Sequence, residues 1–135
     1  MVSFRVDCIM YEIGTASFLH SFFSTVAYRL ENNRWGSKFP VIMNELYQGK
    51  LSCKNVPVAK AELTQIKKDL TMFSPNKVIW DIEDLSKQPP WGNNISNEIS
   101  SLENYFITCD GRDFIEVFNM ALDTAIEIKE DVIIE

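Results

Sequence analysis

The sequence predicts an α/β or α+β fold: a single two-layer domain spanning residues 1–135, with a small sheet of a few short strands covered by long amphipathic helices. Three observations lead there. The opening residues alternate apolar and polar with period two, several later stretches carry apolar residues at three- and four-residue spacings, and 135 residues suit one hydrophobic core. With 46% apolar and 24% charged residues, the composition is that of an ordinary globular chain.

In "VSFRVDCIMY", Val2, Phe4, Val6, Cys8 and Met10 alternate with Ser3, Arg5 and Asp7, the pattern of one half-buried strand that Gly14 ends. Thr15 or Ser17 then caps a helix, because Phe18, Leu19, Phe22, Phe23, Val26 and Leu30 form an apolar stripe that stops near Asn32 and Asn33. After Gly36 and Pro40, Val41, Ile42, Leu46 and Tyr47 suggest a short helix with Gly49 beyond its end. A further helix starts at Pro57, aligns Ala59, Leu63, Ile66, Leu70 and Phe73, and stops before Pro75.

"KVIW" reads as a short buried strand, since β-branched and aromatic residues favour that state. Ile95, Ile99, Leu102 and Phe106 in "ISNEISSLENYF" are spaced as in a helix, which gives way near Asn104 to strand in "YFITC". Asp110 is the expected N-cap of the last helix, with Asp113 as the acidic member of a capping box. Phe114, Val117, Phe118, Ala121, Leu122 and Ala125 form its apolar face, and "VIIE" closes the chain as a strand.

No run is long and apolar enough for a membrane span, and Arg5, Asp7 and Glu12 interrupt what a signal peptide would keep apolar. Cys8, Cys53 and Cys109 are odd in number, spaced neither for zinc nor for a disulfide framework, so a reducing cytoplasm with buried thiols is expected. Charge is unevenly divided. Residues 1–68 carry nine Lys/Arg against five Asp/Glu, a net +4, whereas residues 69–135 carry four against fourteen, a net −10. An acidic half steers basic partners and repels nucleic acid, although it also serves solubility alone.

Most catalytic classes lack their residues. His20 is the single histidine, predicted on the helix surface beside Ser24 and Glu31, so a His-rich zinc site is excluded and a Ser-His-Asp triad would depend on that one ring. No phosphate-cradling glycine loop, nucleophile elbow or dinucleotide fingerprint is present, and no cofactor is expected. One catalytic arrangement stays open. In "WDIEDLSKQPPWG", residues 80–92, Asp81 and Glu83 on one strand face, with Asp84, would suit a hard cation in a metal-dependent hydrolase. Lys87, the nearest basic residue, follows the cluster instead of joining it.

The runs "EIGTASFLHSFFS", "WGSKFPVIMNELYQGKL", "VIWDIEDLSKQPPWG" and "YFITCDGRD", in this order, resemble the bacterial immunity protein 70 family over nearly the whole chain from Glu12. The resemblance implies a non-catalytic cytoplasmic protein that binds and blocks the cognate toxin domain of a polymorphic toxin system. It assigns no individual residues, so the candidate interface rests on charge and aromatics: Asp81, Glu83, Asp84 and Trp91, with Asp110, Asp113 and Glu116 next. Trp80 is expected in the core, Trp35 on either side of the surface, and Trp91 either outward to a partner or inward to the fold. A regulatory domain for another host protein is the blander reading.

Overall fold

A computed structural model describes residues 1–92 and 94–135 and has the α+β architecture. Strands β1 (Val2–Val6), β2 (Ile9–Gly14), β3 (Lys50–Leu51) and β4 (Val132–Ile134) form one sheet in the order β2-β1-β4-β3, each neighbouring pair antiparallel. The predicted opening strand is a hairpin. Val6 pairs with Ile9, so Asp7 and Cys8 alone make the turn, with Asp7 at φ 56°. A two-residue turn shifts the alternation by one residue, so Ile9 and Tyr11 follow Phe4 and Val6 on one face, while Cys8 lies in the turn and Met10 on the opposite face, not in the apolar series that the sequence suggests.

Helix α1 (Ala16–Thr25) continues into a π-helical segment, Val26–Leu30; α2 spans Val56–Leu70 and α3 spans Phe114–Ile128. Thr15 caps α1 by accepting from the Phe18 amide. Between the first two helices, Val41–Glu45 and Leu46–Gln48 form one irregular helical stretch that ends at Gly49, φ 115°, where a side chain would be strained. The Glu62 carboxylate on α2 accepts from the Val41 and Ile42 amides and so caps that stretch from a neighbouring helix.

The helices cover the sheet face that carries Phe4 and Val6. Phe4 meets Phe118 at 4.9 Å between ring centroids, and Phe22 of α1 meets Phe114 of α3 edge-on at 4.8 Å. α2 packs on α3. The opposite sheet face holds Arg5 across from Met10, and Ser3 across from Glu12, and leaves Met10 and Glu12 exposed. One carboxylate is buried without a cation: Glu31 accepts from the Gly36, Lys38 and Phe39 amides at 2.9–3.0 Å and fixes the loop after α1. Hydrogen-bonding of this number holds a charge inside where an ion pair otherwise would.

Five other sequence expectations need correction. Val78–Trp80 joins no strand, because the amide and carbonyl of its central residue, Ile79, are satisfied by side chains of helix α1. Residues 95–106 are turns and not a helix: the Asn104 side chain accepts from the Ser100 and Ser101 amides and donates to the Glu98 carbonyl, which diverts the backbone from a helical ladder. "YFITC" contributes only an isolated bridge between Ile107 and Asp113. The N-cap of α3 is Asp113, not Asp110. Finally, Cys8 and Cys109 are exposed and Cys53 is half-buried, all three as free thiols.

Candidate functional site

The polar side of α1 is a strip on which residues 77–82 dock. Ser and Thr weaken helix interiors because their hydroxyls compete for backbone groups, and here the groups they take belong to another segment. Ser21 Oγ donates to the Ile79 carbonyl at 2.9 Å, and Thr25 Oγ1 donates to the same oxygen at 3.2 Å while accepting the Ile79 amide at 3.0 Å. Ser24 Oγ accepts the Ile82 amide at 3.2 Å and Arg29 Nε donates to the Lys77 carbonyl at 2.8 Å. Ser21, Ser24 and Thr25 are fully buried by this docking.

The acidic turn grows from that anchor. Asp81 Oδ1 accepts the Glu83 amide at 2.9 Å and lies 3.3 Å from His20 Nε2, while Oδ2 lies 3.5 Å from Lys87 Nζ. Asp84 accepts from the Ser86 amide at 3.1 Å and from its hydroxyl at 2.5 Å. The Glu83 amide, with His20 and Lys87 adding, holds the Asp81 carboxyl below the usual carboxylate range, and Ser86 does the same for Asp84. His20 Nδ1 faces the Tyr47 hydroxyl at 3.2 Å, and burial, with the charges of Glu83 and Asp81, pushes that phenol up. Both ring nitrogens of His20 are therefore engaged, and neither is free to activate Ser17, which lines the same shallow pocket. The predicted surface histidine is a half-buried link between α1, the acidic turn and Tyr47.

Beyond Pro89, which is buried, the chain turns at Gly92 and presents Trp91. Trp91 points both ways. Its Nε1 donates to the Tyr105 hydroxyl at 2.8 Å and its ring stands edge-on to half-buried Trp80 at 5.4 Å, yet 40% of the residue is exposed. The exposed part borders an apolar pocket of about 210 Å³, walled by Ile95, Ile99 and Ile107 over Phe18 and Tyr105. Trp35 lies half-buried over Tyr47 and Phe23 and donates to the Met43 carbonyl at 2.7 Å.

Asp110, Asp113 and Glu116 have separate tasks. Asp113 accepts the Ile115 and Glu116 amides at 3.0 and 3.4 Å, which occupies its carboxylate in capping α3. Asp110 accepts the Thr108 hydroxyl in the preceding turn, three residues beyond the pocket residue Ile107. Glu116 is exposed on the first turn of α3 and borders a groove shared with Lys67 of α2. The structure thus brings Trp91 near the turn that holds Asp110 and leaves Asp113 and Glu116 at the helix start.

A family model described as immunity protein 70 matches residues 4–134. The chain belongs to the immunity protein 70 family. No curated protein and no solved structure matches it. In this immunity protein 70 chain the strand face that would bring Asp81 and Glu83 side by side does not form, since both lie in turns. Among the described residues, no group of three or more His, Cys, Asp and Glu side chains could hold a metal ion. Lys87, which the sequence places past the cluster, folds back onto Asp81. Ile99, Ile107, His20 and Tyr47 are neighbours of the site that sequence reading missed. The one available signal was the row Ser21, Thr25 and Arg29, four residues apart along α1 and its π-helical continuation, which marks a polar face with a partner.

Proposed function

We propose that this chain neutralises a cognate toxin domain by binding it, using the acidic and aromatic surface that runs from Asp81 to Trp91 and on to the turn at Asp110. Membership of the immunity protein 70 family across residues 4–134 carries the reading. The surface chemistry supports it. Glu83 and Asp84 are exposed and have no Lys or Arg ion-pair partner among the described residues, while Trp91, farther along the same segment, offers rigid aromatic area. Docking on α1 fixes these groups before a partner arrives, which reduces the ordering cost of binding. An acidic surface of this kind suits a toxin with a basic cleft, as a nuclease would have, and acts there in place of phosphate.

Co-expression tests the reading: cells making the toxin encoded by the adjacent gene should survive when this chain is present and die when it is absent. Equal killing in both strains contradicts it.

A further inference from the structure

The pocket beside Trp91 has a size and a setting that restrict what can enter it. Its volume of about 210 Å³ lies below the roughly 300–1,000 Å³ of sites that enclose a whole small molecule, and suits a single bulky side chain. Its walls are fixed. Trp91 is held by Tyr105 and Trp80, and the wall carrying Ile99 is braced by the Asn104 side chain on both sides of it. Trp91 and Ile107 keep 40% and 41% of their surface exposed at the mouth, so apolar area is left to bury.

Apart from Phe18, the residues that wall the pocket belong to the half of the chain with a net −10. Glu98 lies in the wall segment, Asp110 in the turn after Ile107, and neither forms an ion pair with a Lys or Arg among the described residues. We infer that this pocket receives one large apolar side chain carried by a basic segment of the toxin, with Glu98 and Asp110 contacting the flanking Lys or Arg residues. The inference rests on the toxin-binding reading and gives it an anchor. Burial of the apolar side chain supplies the slow dissociation, and the acidic half selects a positive segment and speeds its arrival.

Calorimetric titration of the full chain with the purified toxin domain encoded beside it tests this. Trp91→Ala and Ile107→Lys should each raise Kd by about 30-fold or more, the loss typical of an interface anchor. Met72→Ala, at a residue 82% exposed elsewhere on the surface, should leave Kd within about twofold. Glu98→Lys should slow association most at low salt. Unfolding curves establish that each variant is folded, and if Trp91→Ala is not, Ile107→Lys carries the test because its side chain lies at the surface. Folded pocket variants that bind as tightly as the wild type overturn the inference while toxin binding stands. Self-association of the chain that Ile107→Lys abolishes would place a second copy in the pocket and overturn it as well. A wild-type chain that does not bind the toxin overturns the underlying reading itself.

Discussion

At the residue scale, two buried hydroxyls decide where the acidic segment sits. Ser21 and Thr25 both serve the Ile79 peptide group, so Ser21→Ala with Thr25→Val strands polar atoms that have no other partner. The double substitution should cost about 2 kcal/mol in urea unfolding and make residues 78–92 more open to proteolysis, without loss of helix content. Titration of single carboxylates gives a second test. The folded-state pKa values of Asp81, Asp84 and Asp131 are lowered, the last chiefly by the Cys53 amide, from an ordinary 3.8. Their contribution to stability is therefore present above that value and is lost as pH falls toward the lower folded value. Glu62 runs the other way: burial raises it from 4.5, so its contribution is fully present below that value and is lost as pH rises through the folded one. Unfolding free energies measured from pH 2 to 6 should decline on the acid side less steeply in Asp81→Asn with Asp131→Asn than in the wild type.

At the element scale, what could be read in the sequence was what packs with a repeat. Phe18, Phe22 and Val26, then Leu63, Ile66 and Leu70, then Phe114, Phe118 and Leu122 each mark a helix by spacing alone, and all are buried in the structure. The segments that carry the candidate site have no such repeat. Val78–Trp80 has the composition of a strand but finds its hydrogen bonds on side chains of a helix, and no pattern within the segment records a partner more than fifty residues earlier. Ile95 and Ile99 have helical spacing because both line the pocket by Trp91, a coincidence of turns. The acids and Trp91 were legible as a cluster in sequence; the apolar wall that Trp91 borders was not. The start of α3 separates the two readings of its cap. Asp113→Ala should destabilise the fold by about 1 kcal/mol through loss of the cap, and Asp110→Ala by clearly less, as thermal or urea unfolding will measure.

At the scale of the whole molecule, charge and fixed shape work together. The half from residue 69 onward has a net −10, and its exposed turn acids lie on a segment held in place by α1. A long-range field of this sign raises the rate at which a basic partner arrives and is weakened by salt, since screening acts over about 8 Å at physiological ionic strength. Glu83→Lys with Asp84→Lys should therefore slow association with the toxin by about tenfold at low salt and much less at high salt, with dissociation little changed, in stopped-flow measurements. Asp81 is left out of that pair because it is bound to His20 and Lys87 and its loss would disturb the turn.

The central claim is that the chain meets its toxin on the face built by the acidic turn, Trp91 and the pocket beside it. Amide hydrogen exchange, recorded with and without the toxin domain of the adjacent gene, tests this most directly. New protection concentrated in residues 81–110 is the expected result. Protection confined to the β1–β2 hairpin or to α2, with residues 81–110 exchanging as they do in the free chain, would contradict it.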